Sequence, residues 1–197
     1  MTEKGMPKIV LTGGPGGGKT TALDLFRREF ANETIVVPES ATMIFGGGIH
    51  RSTNEEVIKA TQKTIFQLQK NLENIQNKLH PERLILCDRG SLDGLAYWPG
   101  TKDEYFDAVN SDFYTELTDY DAVIFFETAA ASNKPISSNN PIRTEDETQA
   151  IRLDERLQTI WSQHPNYHFV GSNESFIDKI NFGIDTIKCV IERYKEE

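Results

Sequence analysis

A short stretch near the start of the chain combines glycines with a lysine in an order that suits phosphate binding. The stretch reads "LTGGPGGGKTTALDLF", and residues 13–20 within it fit the pattern G-x-x-x-x-G-K-[ST]. In this pattern the glycines let backbone N–H groups surround an anion, the lysine reaches the terminal phosphates, and the last hydroxyl ligates Mg²⁺. We therefore expect a nucleoside triphosphate, ATP or GTP with Mg²⁺, to bind at Gly13, Gly14, Pro15, Gly16, Gly17, Gly18, Lys19, Thr20 and Thr21.

Acidic and basic residues follow two further apolar segments. Glu39 lies in "VVPESA", where it could accept a proton from a substrate hydroxyl or hold a metal-bound water. A solvated carboxylate or a helix cap is the alternative for Glu39. Asp88 and Arg89 lie in "LCDRGS", where the carboxylate suits Mg²⁺ binding or base catalysis and the guanidinium suits phosphate oxygens. A simple Asp–Arg turn is the alternative for this pair.

Three arginines follow a polar stretch that reads "AAASNKPISSNNP". This composition without periodicity is typical of a mobile loop, and such loops often act as lids. Arg143 lies at the exit of the stretch, and Arg152 and Arg156 follow on a predicted helix, away from its apolar face. We expect Arg143 and Arg152 to bind phosphates when the lid closes. A solvated helix face shared with Asp154 and Glu155 is the alternative.

Amide and aromatic side chains offer candidates for substrate recognition. Gln67 or Gln69, on a long predicted helix, could bind the edge of a base or an amide group. Tyr97 or Trp98 could stack on a ring. Solvent-exposed glutamines and core aromatics are the alternatives. The residues that we select as substrate contacts are Glu39, Gln69, Arg89 and Trp98.

Apolar, β-branched runs alternate with helical periodicity along the whole chain. Five such runs predict buried strands, at Lys8–Gly13, Thr34–Ser40, Arg83–Gly90, Asp121–Thr128 and Asn166–Ser172. Buried strands that alternate with helices predict an α/β fold with a doubly wound, five-stranded parallel sheet covered by helices on both faces. Ligands of such sheets bind outside the carboxyl ends of the strands, where the candidate residues lie.

A helix of about seven turns is predicted between a run of glycines and His80. Its apolar stripe consists of Ile58, Ile65, Leu68, Leu72, Ile75 and Leu79. The polar stretch gives a lid segment at about residues 129–150, between the fourth and fifth strands. A length of 197 residues suits one domain with such a lid, over residues 1–197.

Composition and charge restrict the partners. The chain has 38% hydrophobic and 26% charged residues, as globular proteins do, and its net charge of -9 argues against nucleic acid or an anionic membrane as a partner. No apolar run approaches the roughly 18 residues of a membrane span, and "MTEKGMPK" lacks a signal-peptide core. We therefore expect a cytoplasmic protein. Cys87, inside an apolar run, is predicted to be a buried, reduced thiol.

Taken together, these motifs resemble those of one known family. The segments "KIVLTGGPGGGKTT", "VVPESA", "LILCDRGSLDGLAYWPG", "FETAA", "NPIR" and "LDERLQTIWSQHP" resemble the small bacterial predicted ATPases and kinases grouped under an AAA-domain label. That family is similar to the ribosylnicotinamide kinase domain and, more distantly, to the deoxynucleoside kinases. The resemblance implies a P-loop NTPase fold with a nucleoside-kinase-like arrangement and a lid. It leaves open a homodimer formed through the long helix.

The resemblance also implies phosphoryl transfer. Deoxynucleoside kinases place a glutamate after the second strand as base toward the acceptor hydroxyl, which matches Glu39. Their acidic–Arg–Ser motif matches Asp88, Arg89 and, past one inserted glycine, Ser91. The implied activity is transfer from ATP–Mg²⁺ to a hydroxyl of an unidentified, nucleoside-like small molecule. An ATPase switch that acts through a protein partner, and a nucleotide sensor with little turnover, are the alternatives.

Overall fold

The five predicted strands are all present, and each lies within the segment predicted for it. The computed structural model describes residues 6–132, 147–171 and 175–196. Its strands are β1 (Lys8–Thr12), β2 (Thr34–Val37), β3 (Leu84–Asp88), β4 (Ala122–Phe126) and β5 (Tyr167–Val170). Continuous apolar runs indicated them well because strands of a parallel sheet are covered on both faces.

The strands form one parallel sheet in the order β2-β3-β1-β4-β5. The central strand β1 pairs with β3 on one side, Leu11 beside Asp88, and with β4 on the other, Leu11 beside Ile124. The chain changes direction across the sheet at β1, which is the kind of point where open α/β sheets bind ligands. The segments that follow β1, β2, β3 and β4 therefore meet at one edge.

Helices cover both faces of the sheet, as predicted. The helices of the described residues are α1 (Lys19–Glu29), α2 (Ser40–Gly46), α3 (Glu55–Leu79), α4 (Asp93–Tyr97), α5 (Lys102–Val109), α6 (Phe113–Thr118), α7 (Glu147–Trp161) and α8 (Phe176–Glu196). Side chains of β1 alternate between two cores: Val10 faces the core that α3, α5 and α7 contribute to, and Ile9 and Leu11 face the core below α1 and α8.

The long helix α3 has the predicted length but buries a different face. Its four buried residues are Gln62, Phe66, Gln69 and Glu73, which recur at helical spacing. The predicted stripe is only half-buried, and its last members Ile75 and Leu79 are 48% and 65% exposed. The buried polar side chains can lie there because several of them find hydrogen-bond partners in the site described below.

Two further expectations concern the rest of the chain. Cys87 is buried and forms no disulfide, as predicted. In the described ranges no helix combines the length and the apolar character that crossing a membrane requires.

Candidate active site

The phosphate-binding pattern forms the turn between β1 and α1. Gly13, Gly16 and Gly18 all have positive φ angles, of 121°, 77° and 92°, which side chains disfavour. A Cβ at Gly13 would lie 2.0 Å from the backbone oxygen of Phe126 on the neighbouring strand β4. Glycine is therefore required at position 13 both for its backbone conformation and for its contact with β4.

The loop ends at the N-terminus of α1, with Lys19 as the first helical residue. The N-cap Gly18 offers no side-chain cap and the first turn holds no acidic residue, so its N–H groups suit an anion. Lys19 is only 3% exposed, and its Nζ donates to the backbone oxygens of Gly13 at 2.8 Å and Gly14 at 2.5 Å. Thr20 and Thr21 lie exposed on the first turn. The predicted lysine thus lies inside the loop that it is expected to serve.

The residues after β3 connect this loop to the segment after β2. Arg89 is buried with a φ of 77°, an unusual conformation for a non-glycine residue. Its Nη1 donates to the backbone oxygen of Gly13 at 2.6 Å and to Asp93 Oδ2 at 3.0 Å, and its Nε lies 3.4 Å from Glu39 Oε1. Burial by itself lowers the pKa of Arg89, but Tyr97, Asp93 and Glu39 together raise that pKa above its ordinary value. The guanidinium therefore stays charged between the loop and Glu39.

Asp93 is a buried residue that sequence reasoning missed. Its carboxylate accepts hydrogen bonds from Thr12 Oγ1 at 2.9 Å, from Arg89 and from Trp161 Nε1 at 2.8 Å. It thereby joins β1, the Arg89 turn and α7. The sequence shows that Asp93 follows Arg89 by four residues, which was the available signal for a contact between them. It does not show that Thr12 of β1 and Trp161 of α7 also bind this carboxylate.

Asp88 is the last residue of β3 and is 9% exposed. Its register beside Leu11 places it at the same sheet edge as the loop that follows β1. Asp88 and Thr20 supply oxygen donors, which suit Mg²⁺. In the part of the chain that the structure describes, no group of three or more His, Cys, Asp or Glu side chains could hold a metal ion.

Glu39 faces a cavity next to the phosphate loop. Its lining includes Glu39, Arg89, Gln62, Gln69, Phe66, Tyr97 and Tyr105. Glu39 is the N-cap residue of α2, and Thr42 Oγ1 donates to its Oε2 at 2.5 Å. The side chain is 18% exposed, so the carboxylate is accessible from the cavity. Charged side chains, those of Glu39 and Arg89, and aromatic rings, those of Phe66, Tyr97 and Tyr105, together line the cavity, which gives it the character of a small-molecule site.

The glutamines of α3 divide into three environments. Gln67 is exposed. Gln69 is 2% exposed and its amide is used within the protein: Oε1 accepts from Ser40 Oγ at 2.9 Å, and Nε2 donates to Glu73 and to the backbone oxygen of Arg89. Gln62 is 7% exposed, lines the cavity and hydrogen-bonds to none of the described residues. Gln69 thus positions the Arg89 turn, whereas Gln62, two turns earlier on the same face, offers a free amide.

The aromatic candidate also differs from the prediction. Trp98 is 3% exposed and packs edge to face against Tyr105, with ring centroids 5.3 Å apart, in the core. It does not line the cavity, whereas its neighbour Tyr97 does. The turn of α4 ends at Tyr97, so the two side chains point in different directions. Because Tyr97 and Trp98 are neighbours in the sequence, the sequence alone does not show which of the two lines the cavity.

The arginines near the lid are only partly described. Arg143 and most of the predicted lid lie outside the described residues. Arg152 and Arg156 are exposed on α7, and Arg156 Nη2 donates to the backbone oxygen of Trp98 at 3.4 Å. Asp154, which the alternative interpretation placed on a solvated helix face, is 5% exposed. Its spacing from Ala150 and Leu157 on the buried face was a signal that sequence reasoning passed over.

A glycine-rich phosphate loop follows the central strand β1 of the parallel sheet, and an aspartate and an arginine lie at the end of the adjacent strand β3. This arrangement defines a P-loop NTPase of kinase-like fold. The chain belongs to the family described as AAA domain, whose sequence profile matches residues 8–175. This confirms the resemblance. The curated proteins contain no match to the sequence.

A solved structure supports the kinase-like arrangement of the fold. It is that of deoxyadenosine kinase from M. mycoides with bound dATP, with a TM-score of 0.53 and 15% sequence identity. The match covers 92% of this chain and 99% of that chain. At this identity the similarity concerns the fold, and it extends over nearly the whole of both proteins.

Proposed function

We propose that the protein transfers the γ-phosphoryl group of ATP to a hydroxyl of a small, nucleoside-like molecule. One observation carries the proposal: Arg89 lines a cavity that has the carboxylate of Glu39 in its wall, and its guanidinium contacts both Glu39 and the phosphate loop. A kinase needs donor and acceptor sites that meet at one point, because phosphoryl transfer depends chiefly on positioning and charge stabilisation.

The donor site is the loop of residues 13–21. The N–H groups of the loop and of the first turn of α1 would bind the phosphates, and Lys19 would leave the two backbone oxygens to contact the terminal phosphates. Thr20 and Asp88 would hold Mg²⁺, which would supply positive charge to neutralise the phosphates. Phe176 at the start of α8 is 45% exposed and lies close to Gly18, where its ring offers a stacking surface for the base.

The acceptor site is the cavity. Glu39 would accept the proton of the acceptor hydroxyl as its oxygen forms a bond to the γ-phosphorus, while the bond from that phosphorus to the bridging oxygen breaks and ADP leaves. Arg89 would stabilise the transferring group. Phe66 and Tyr97 offer faces for a ring, and the unpaired amide of Gln62 offers both a donor and an acceptor to its edge. Arg143 and Arg152 would supply further positive charge from the lid side.

The test is transfer from ATP–Mg²⁺ to a panel of nucleosides, ribosylnicotinamide and other small alcohols, with ATP alone as control. The decisive variant is Glu39→Gln, with Glu29→Gln at an exposed position of α1 as the matched control. We expect an acceptor-dependent product whose formation falls by about 10²–10⁴ in Glu39→Gln, with unchanged ATP affinity. Unchanged transfer by that variant would remove Glu39 from the base role. ATP binding without any acceptor-dependent product would favour the switch or the sensor.

A further inference from the structure

One buried carboxylate outside the reacting groups contacts the phosphate loop directly. Asp154 on α7 accepts hydrogen bonds from the backbone N–H groups of Gly14, at 2.5 Å, and Thr128, at 3.1 Å. There is no room for a side chain at Gly14, because a Cβ would lie 2.4 Å from Asp154 Oδ1 and 2.9 Å from Thr128 Cβ. Three segments of the chain, namely α7, the phosphate loop and the end of β4, therefore meet at this carboxylate.

The peptide groups of Gly14 connect Asp154 to the loop lysine. Asp154 holds the N–H of Gly14 from one side, and Lys19 Nζ donates to the oxygen of Gly14 from the other. Thr128, the other residue whose N–H Asp154 holds, also donates through Oγ1 to the backbone oxygen of Pro15 at 2.6 Å. A displacement of α7 would therefore be transmitted to the loop at two successive residues.

The charges around Asp154 change when a nucleotide binds. Among the described residues, the charged or titratable groups that act on it are Lys19 of α1, Glu127 at the end of β4 and Tyr167 of β5. The ammonium of Lys19 favours the ionised carboxylate. Once Lys19 turns to the phosphates, that support weakens, and the polyphosphate itself adds negative charge nearby. Both changes disfavour the carboxylate and favour the carboxylic acid.

We propose that Asp154 is a positioning residue that fixes the phosphate loop to α7 and takes up a proton when a nucleoside triphosphate binds. The inference rests on the donor half of the proposed function and is independent of the acceptor. Burial raises the pKa of Asp154 to about 6, so proton uptake falls in an accessible range of pH. The protonated acid still accepts a hydrogen bond through its carbonyl oxygen, which lets the contact with the loop persist.

The experiment is calorimetric titration of the full chain with a non-hydrolysable ATP analogue and Mg²⁺. It is run between pH 6 and 8 in two phosphate-free buffers of different ionisation enthalpy. The variants are Asp154→Asn, which keeps an acceptor oxygen without a titratable group, and Glu155→Gln, the same change at the exposed neighbouring position. Because it lacks the titratable carboxylate, the Asp154→Asn protein also reports the protons exchanged by the nucleotide itself.

The expected result separates the two variants. Wild type and Glu155→Gln should take up protons on binding and lose about fivefold in affinity over this range, the change that a one-unit rise of the pKa from about 6 would produce. In Asp154→Asn the additional proton uptake should be absent. Asp154→Ala should also weaken binding, since it removes the contact to Gly14, and an unfolded Asp154→Ala protein would leave Asp154→Asn to decide the question.

Two results would overturn the inference, and they differ in meaning. If Asp154→Asn binds the analogue with the same proton uptake as Glu155→Gln, Asp154 has no part in nucleotide binding, while the donor site stands. If wild type binds no nucleotide at all between pH 6 and 8, the inference and the proposed donor site fail together.

Discussion

The phosphate loop and the acceptor cavity lie at the same edge of the sheet, yet they are built in different ways. The loop is one continuous segment, residues 13–21, whose conformation follows from its own glycines. The cavity is assembled from α2, α3, α4, α5 and the Arg89 turn, so its polar side chains come from separate elements. A continuous site is specified locally, whereas an assembled site depends on the orientation of each contributing element.

The largest effect is expected from the lysine of the continuous site. Lys19→Ala removes the ammonium that lies inside the loop, and transfer should fall by about 10³-fold or more, with weaker ATP binding. Steady-state kinetics and a binding titration measure the two effects. Lys63→Ala, at an exposed position of α3, is the control. Transfer at the wild-type rate by Lys19→Ala would mean that the loop is not the donor site.

The next prediction compares two glycines with similar backbone angles. Gly13→Ala should lower the free energy of unfolding by more than about 3 kcal/mol. The new Cβ would clash with the backbone of β4, and the alanine would also have to adopt an unfavourable positive φ. Gly48→Ala, at a φ of 103° with no atom within 4 Å of its Cβ, should cost only about 1–2 kcal/mol. Urea unfolding gives both values. Equal losses would show that the contact with β4 adds nothing to the backbone cost.

Substitutions of three glutamines of α3 test how the cavity is built. Gln62→Leu should raise the KM of the acceptor by about 10–100-fold, from the loss of about 1–3 kcal/mol of hydrogen bonding, and leave the KM of ATP unchanged. Gln69→Leu should instead lower stability by about 1–3 kcal/mol, because Ser40, Glu73 and the Arg89 oxygen lose a partner. Gln67→Leu should do neither. An acceptor effect confined to Gln69→Leu would reverse this assignment.

The last prediction concerns the pH dependence of stability at Asp154. Its folded pKa, about 6, lies above the ordinary 3.8, so the folded protein binds the proton more tightly and loses stability as pH rises from about 4 to 6. The full cost, on the order of 2–3 kcal/mol, is present above pH 6. Asp154→Asn avoids this cost while keeping an acceptor oxygen.

Urea unfolding at pH 4.5 and 7.5 measures this difference. Asp154→Asn should gain on the wild type between the two pH values, while Glu155→Gln should not. A constant difference between Asp154→Asn and wild type would show that the carboxylate does not change its charge in this range.

The sequence predicted the fold and the phosphate loop correctly, but it did not predict which side chains are buried beside the site. The strands were found because burial on both faces demands continuous apolar runs, as in "DAVIFFET". The length of α3 was found, but its stripe was not, because a helix beside a polar site buries Gln69 and Glu73 through hydrogen bonds rather than through apolar contact. Apolar periodicity contains no information on such pairing.

The sequence by itself determined that the chain folds into a parallel α/β sheet and carries a phosphate loop, because both properties reside in short contiguous patterns of residue type. Only the tertiary structure decided that the amide of Gln69 is used in hydrogen bonds within the protein while Gln62 offers its amide to the cavity, that Tyr97 rather than Trp98 lines the cavity, and that Asp154 reaches the loop. The contacts of Gln69 with the Arg89 oxygen and of Asp154 with Gly14 join residues that are 20 and 140 positions apart in the chain. Packing brings such partners together, and local sequence cannot encode them.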